Sequence, residues 1–229
     1  MNFKKLLLTV VIGVFTVILV ACGNDDFPLH DMGYYPIDGE HSFYYVTMED
    51  ALELIEDEDF NGVLYFGFPG CPWCQAAVPV LHEASLATEV PVFYVSRRSD
   101  LREGDWLDWD LTMARWIDAQ FPLQWLLYPG EYEYDEEYGD YVYIPGEPRV
   151  PNIFVPFVMH VRNGVVVDAH RGTFEGHARM QNADGTLGPT YPFTDEQRAT
   201  LLATYKRILN GTYSAGDGCT ITLTETDCS

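Results

Sequence analysis

Positive charge is scarce in this 229-residue chain: 13 Lys and Arg stand against 35 Asp and Glu, for a formal net charge of −22. So acidic a surface repels nucleic-acid phosphates and argues against nucleic-acid binding. It equally disfavours direct adhesion to anionic lipid headgroups, and it carries no information about fold. No internal repeat or heptad pattern runs through the chain, which sets aside solenoids and coiled coils. A second Cys-x-x-Cys is lacking, and the six histidines (His30, His41, His82, His160, His170, His177) fall at no spacing that suits a metal. A four-ligand zinc site is therefore not supported. What the chain does have is 47% hydrophobic residues, enough to exclude disorder of the whole. Its length suits one domain with a sizeable core and an insertion, and hardly two full domains.

Met1 to Cys22 reads as a secretory signal. Lys4 and Lys5 form a positive n-region, and Leu6 to Val20 is an uncharged stretch of 15 residues, short for a membrane-spanning helix. It ends in Leu19-Val20-Ala21-Cys22, which resembles the lipobox of bacterial lipoproteins. That resemblance implies removal of residues 1–21, a mature N-terminus at Cys22 and lipid on its thiol. The plainer alternatives are an uncleaved anchor helix or an ordinary signal with a stray cysteine. Two or more acyl chains on one residue give stable anchoring, at about 0.8 kcal/mol per buried methylene. Loss of residues 1–21 takes Lys4 and Lys5 with it, moves the net charge from −22 to −24 and leaves Lys206 as the sole lysine. Residues 23–40 are rich in Gly, Pro and Asp and show no helical or strand period, so residues 22–41 are expected to be a lipidated N-terminus and flexible tether. Eighteen flexible residues span about 25 Å. Four further cysteines remain: Cys71, Cys74, Cys219 and Cys228. An even number in an exported protein suggests two disulfides, and of the three connectivities neighbours in sequence favour Cys71–Cys74 and Cys219–Cys228.

Hydrophobic periodicity predicts the order β-α-β-α-β for the first half. Ser42–Thr47 is a short aromatic strand. Thr47 and Asp50 form an N-terminal helix signal, and Met48, Ala51, Leu52, Leu54 and Ile55 continue a helical face through Asp57. Asn61-Gly62 reads as a turn. Val63–Phe68 is a continuous apolar run that suits a strand buried on both faces. Cys71–Ala87 is helical in pattern and interrupted by Pro79, and Val90–Ser96 is another buried strand. This alternation predicts an α/β fold with parallel pairing in its sheet. Residues 97–150 differ in character. Thr112–Gln120 reads as a helix, and Glu131–Tyr143, which alternates acids with tyrosines, reads as an exposed hairpin or solvated loop, with a substrate-selecting rim as the functional alternative. Phe157–Arg162 and Val165–Ala169 flank Asn163-Gly164, a strong hairpin signal. Gly-containing loops follow. Thr194 with Gln197 caps a helix over Asp195–Leu209, which Asn210-Gly211 ends. Residues 212–229 form a small, polar tail whose Cys219–Cys228 pair reads as a staple. The tryptophans Trp106, Trp109, Trp116 and Trp125 read as packing, and His160 reads as a packed or edge histidine.

The chemistry lies in Phe68-Pro69-Gly70-Cys71-Pro72-Trp73-Cys74. This puts a Cys-x-x-Cys after a buried strand and at the opening of a helix. Residues one helical turn apart meet the Cα separation of ~4.4–6.8 Å that a disulfide requires. Unpaired N–H groups and the helix dipole stabilise a thiolate there, which lowers a thiol pKa from ~8.5 into the range ~3.5–7.5. Cys71, at the exposed end, is the expected nucleophile and Cys74, one turn further in, the resolving thiol. Pro72 sets φ early in the helix without wasting an N–H. Trp73 offers an apolar face to a substrate peptide. A structural bridge and a metal site are the competing readings of the motif.

Three features make the chain similar to the thioredoxin superfamily: the strand–Cys-x-x-Cys–helix segment from Val63 to Leu81; Pro79, five residues after Cys74, where thioredoxins kink the active-site helix; and Val155-Pro156-Phe157-Val158-Met159-His160-Val161-Arg162-Asn163-Gly164, which resembles the family's Ile-Pro-Thr-(apolar)-Lys-Asn-Gly segment. The resemblance covers residues 42–96 and 152–209. It implies a thioredoxin-like α/β domain over 42–211, a central mixed sheet flanked by helices, with residues 97–150 inserted before the cis-proline strand. It further implies that Pro156 is the cis-proline facing the cysteines and that Val155 offers backbone groups to a bound substrate chain. Pro151 is a rival for that proline but stands at the wrong distance from Asn163-Gly164. A narrower similarity, through Gly-x-x-Gly-Cys-Pro-x-Cys, is to bacteriocin-transport accessory proteins and related Gram-positive lipoproteins. One departure stands out. Thioredoxins carry a buried acid six residues before the first cysteine, and this chain has Tyr65, whose ordinary pKa of ~10 bars it from accepting a proton near neutrality. The function implied is a membrane-anchored, extracytoplasmic thiol–disulfide oxidoreductase without cofactor or metal. Its substrates are protein thiols and disulfides, it has an unidentified membrane redox partner, and it reaches the membrane through Cys22. The alternative is a non-catalytic accessory lipoprotein with a structural Cys71–Cys74 bridge.

Overall fold

The computed structural model describes residues 27–97, 106–120, 127–135, 140–151 and 153–211. The signal segment, Cys22, and the tail with Cys219 and Cys228 lie outside the described residues. Strand β1 (Phe43–Val46) leads into helix α1 (Met48–Glu56). The Thr47 hydroxyl accepts from the Asp50 N–H at 3.0 Å, and an Asp50 carboxylate oxygen accepts from the Thr47 N–H at 3.1 Å. This reciprocal box satisfies two helix-end donors at once. Strand β2 (Asn61–Gly67), helix α2 (Pro72–Thr88) and strand β3 (Val92–Ser96) follow. Helix α3 (Trp106–Gln120) starts six residues before the expected Thr112. The acidic, tyrosine-rich stretch lies in an antiparallel pair, β4 (Leu127–Asp135) with β5 (Asp140–Pro151). Strands β6 (Phe157–Arg162) and β7 (Val165–Arg171) are joined by Asn163 and Gly164, at φ +53° and +69°, the left-handed pair that a tight hairpin turn demands. Short strands β8 (Arg179–Gln181) and β9 (Leu187–Thr190) pair with each other, and α4 (Asp195–Asn210) closes the described chain under its own Thr194–Gln197 box, ending on left-handed Gly211.

The main sheet has five strands in the order β1-β3-β2-β6-β7. Strands β1, β3 and β2 run parallel; β6 is antiparallel to β2, and β7 to β6. Side chains alternate across it as a period of two requires. Leu64 and Phe66 of β2, with Phe93 and Val95 of β3, face a core built with α1 and α3. Val63 and Tyr65, with Val92 and Tyr94, face a second core built with α2 and α4. Burial on both faces explains why β2 and β3 read as unbroken apolar runs rather than alternating ones. The result is a mixed α/β fold, a five-stranded sheet between helical layers.

Two expectations are corrected. Asn61-Gly62 is not a turn: both residues lie in β2, paired with Arg162 and Val161. A Cβ at Gly62 would come within 2.7 Å of the Phe60 ring and 2.9 Å of Phe93, so this glycine makes room for aromatic rings. The expected tether is also too long. Residues 27–37 pack on the domain: the Leu29 backbone bridges Tyr44, the His30 N–H donates to the Phe43 carbonyl, and Met32 and Tyr35 are buried in the second core.

On the far edge, β7 buries the Asp168 carboxylate. Burial raises its pKa, and Arg207 of α4 opposes that rise. The guanidinium donates from Nη2 to Oδ1 at 3.1 Å, and its Nε lies 2.9 Å from Oδ2. Removing one partner of a fully buried pair costs about 3–5 kcal/mol. The Arg207 side chain is 42% exposed, so water recovers part of this. Arg207→Met is expected to lower stability by about 2 kcal/mol in urea unfolding at pH 7, and an unchanged midpoint would show that Asp168 does not depend on its partner.

Candidate functional site

Strand β2 is the middle strand of the sheet, and the Cys-x-x-Cys segment leaves its carboxyl end, the region where open α/β sheets build their sites. The Gly67 carbonyl accepts from the Arg97 N–H at 2.9 Å, and the Cys71 N–H donates to the Phe68 carbonyl at 3.1 Å. This tight link delivers Cys71 to the N-cap of α2 with Pro72 as first helical residue. The Cys71 sulfur accepts from the Cys74 N–H at 3.2 Å. It does what a Ser or Asp oxygen does at other caps, satisfying a donor that the helix leaves orphaned. Gln75 braces the segment, donating from Nε2 to the Pro69 carbonyl at 2.7 Å and the Tyr34 carbonyl at 2.9 Å.

Both thiols are unbonded, and their environments separate them. The Cys71 thiol is lowered, chiefly by its hydrogen bond with the Cys74 side chain and then, against burial, by the N–H groups of Cys74 and Trp73. The Cys74 thiol is raised, chiefly by burial and then by its partner Cys71. A lowered outer thiol beside a raised inner one runs in the direction of the division of labour that the spacing predicts. The expected exposure of Cys71 is not found. It is 3% exposed and Cys74 0%, inside the core against which Phe68, Trp73 and Val155 also pack. Trp73 is anchored as well as apolar: its indole N–H donates to the His177 carbonyl at 2.9 Å, across from the segment between β7 and β8.

The cis bond expected at Pro156 is present, between Val155 and Pro156. Val155 packs against the cores on both sides of the sheet, the one holding Cys71 and Cys74 included. The Pro156 carbonyl accepts from the Gly172 N–H at 2.7 Å, which fixes the bend. Pro151, the rival, ends β5. So Cys71, Cys74, Trp73 and Val155 belong to one core, with Pro72 and Pro156 beside them in the chain. His160 does not join them. Its Nδ1 lies 2.7 Å from the Ile208 carbonyl and its Nε2 2.8 Å from the Asn61 side-chain Oδ1, and burial lowers its pKa. A neutral ring donating from Nδ1 to Ile208 satisfies both contacts if the amide nitrogen of Asn61 faces Nε2. Trp116 packs on the first core; the side chains of Trp106, Trp109 and Trp125 lie outside the described residues.

Three tyrosines also belong to the neighbourhood. Tyr65 is fully buried on β2; its ring centroid is 5.1 Å from that of Tyr94 on β3. The Tyr94 hydroxyl pairs with that of Tyr35 at 2.5 Å. Sequence reasoning singled out Tyr65 and passed over Tyr35 and Tyr94. The sequence signal was Tyr94 standing in β3 in register with Tyr65. Tyr35, brought in by a segment without period, left no such signal. Among the described residues, no group of three or more His, Cys, Asp or Glu is arranged to hold a metal, and no helix is long and apolar enough to cross a membrane. No protein-family model matches the chain, and no curated protein is significantly similar to it in sequence.

Proposed function

We propose that this chain is a thioredoxin-like thiol–disulfide oxidoreductase, held at the extracytoplasmic face of a bacterial membrane by lipid on Cys22. The observation that carries the reading is the Cys71 sulfur at the N-cap of α2, accepting the Cys74 N–H, in one core with Val155 of the cis Val155–Pro156 bond. The five-stranded order β1-β3-β2-β6-β7, with the motif after its middle strand, agrees with the thioredoxin-like arrangement that the sequence resembles. In the reducing direction, the Cys71 thiolate attacks one sulfur of a substrate disulfide and releases the other as a thiolate. Cys74 then attacks Cys71, a Cys71–Cys74 bond forms, and the second substrate sulfur leaves. Two electrons pass from the dithiol to the substrate, and the reverse sequence oxidises a substrate dithiol. Among the described residues the Val155 N–H and C=O have no hydrogen-bond partner, which suits pairing with an extended substrate chain beside Cys71. No cofactor enters these steps.

The deciding measurement is equilibration of Cys71–Cys74 with glutathione, together with the pH dependence of Cys71 alkylation. The expected result is one two-electron transition between about −120 and −270 mV, with Cys71 titrating below the ordinary thiol value of ~8.5. A second reading draws on the 3% exposure of Cys71: a stable structural bridge in a non-catalytic accessory protein. A potential below about −300 mV without an alkylation step below pH 8.5 would replace the first reading with the second.

A further inference from the structure

We infer that Tyr65 is a positioning residue for the resolving sulfur: its neutral, otherwise unpaired hydroxyl is placed to donate a hydrogen bond to the Cys74 thiolate when that thiolate forms. The inference rests on the redox reading above and deepens it. Strand alternation aims Tyr65 at the α2 side of the sheet, into the core that holds Cys71 and Cys74. Gly67, two residues on, shares that face. A Cβ there would stand 2.5 Å from the Tyr65 hydroxyl and 2.6 Å from the nearest ring carbon. The tyrosine therefore lies along β2 over Gly67, towards the Cys-x-x-Cys segment, in space that only a glycine leaves open.

Among the described residues the hydroxyl has no hydrogen-bond partner although it is wholly buried. An orphaned buried donor costs about 1–3 kcal/mol, a penalty that a purely structural residue would shed as phenylalanine. The nearby hydroxyls of Tyr35 and Tyr94 are spent on each other at 2.5 Å, which leaves the Tyr65 hydroxyl for the thiol. The groups that bear on Cys74 from the elements packed around it are Cys71 of α2, Tyr65 of β2, Tyr94 of β3, Tyr35 of the N-terminal segment and Tyr205 of α4. Of these, the Tyr65 hydroxyl favours the ionised form of Cys74, as the Phe68 backbone N–H also does, against burial. Burial in turn holds Tyr65 protonated, so it acts as a donor and never as a base.

The step balances without another reagent. The Cys74 thiolate attacks the Cys71 sulfur of the Cys71–substrate disulfide; the S–S bond to the substrate breaks as the Cys71–Cys74 bond forms. The proton released by Cys74 ends on the departing substrate sulfur. Tyr65 keeps its own proton throughout.

The test uses reduced protein and oxidised glutathione in single turnover, with Tyr65→Phe, which preserves the ring and removes only the orphaned atom. Formation of the Cys71–glutathione adduct is expected at the wild-type rate. Its resolution by Cys74 is expected to slow about tenfold, the effect of one hydrogen bond to a charged group, so that the adduct accumulates. In a Cys71→Ser background, alkylation of Cys74 should move to higher pH when Tyr65 is also changed to Phe. Gly67→Ala, which crowds the hydroxyl off its place, should slow resolution in the same way. An adduct that forms normally and resolves at the wild-type rate in Tyr65→Phe would overturn this role for Tyr65 and leave the redox reading intact. Failure of the wild-type protein to form the adduct would overturn the redox reading itself.

Discussion

Cys71→Ser is expected to bring insulin-disulfide reduction down to the uncatalysed rate, and Cys74→Ser to stall it at a covalent adduct. The two effects differ because the sulfurs differ. Cys71 caps α2 and receives the Cys74 N–H at 3.2 Å, and its thiol is lowered by hydrogen bonding. A serine there keeps the cap, so the helix survives, but its hydroxyl does not ionise near neutrality. Cys74 cannot take over, because it is fully buried and its thiol is raised by that burial. Thiol–disulfide exchange proceeds through the thiolate, so the first bond should never form in Cys71→Ser. In Cys74→Ser it should form once and persist, visible as one equivalent of substrate bound to Cys71 on a non-reducing gel and released by dithiothreitol. Turnover of insulin by Cys71→Ser at a rate near that of the wild type would remove the catalytic assignment.

Loss of stability in mild acid is the second large effect. His30 lies against Tyr94, ring centroids 4.1 Å apart, with its Nε2 buried and without a partner. Burial, the largest cause, pushes its pKa from 6.5 to about 4. His170 donates from Nε2 to the Thr173 carbonyl at 3.1 Å and meets the Tyr205 ring edge-on; burial takes it to about 4 as well. The folded protein thus excludes two protons that the unfolded chain binds at 6.5. Stability is fully present above about pH 6.5 and drains as pH falls through 4, by about 2–3 kcal/mol for each ring, taking 1.36 kcal/mol per unit and allowing for partial hydration. His41 and His160 are lowered too and pull in the same direction. Asp168, raised by burial, acts oppositely. Urea unfolding at pH 7 and pH 4.5 measures the difference, and His30→Phe with His170→Phe should remove most of it. A double variant as acid-sensitive as the wild type would show that other groups carry the effect.

How far the fold could be read in advance depended on whether the cause was local. The Thr47–Asp50 and Thr194–Gln197 boxes, the Asn163-Gly164 turn and the unbroken apolar runs of β2 and β3 each lie within a few residues of their cause, and each appears as expected. Asn61-Gly62 has the composition of a turn, but its glycine answers to the rings of Phe60 and Phe93, a requirement set across strands. Residues 27–37 carry apolar side chains at no helical or strand period, and their burial follows from contacts with β1 and Tyr94. The site divides in the same way. The cap at Cys71 and the bend at Pro156 were legible from spacing and resemblance. The tether of Trp73 to the His177 carbonyl joins segments about a hundred residues apart and left no mark on the sequence.

The docked N-terminal segment bears on where such a protein works. Tyr35 reaches Tyr94 beside the cysteines, and the Tyr34 carbonyl holds Gln75 of α2. Phe27, five positions beyond Cys22, is already anchored on the first core, edge-on to Phe93. Five residues reach at most about 18 Å. With Cys22 fixed in a bilayer as proposed, that short leash confines the folded body to the first layer above the headgroups. Its clientele would then be proteins that themselves sit in or on the membrane, rather than those diffusing freely outside it.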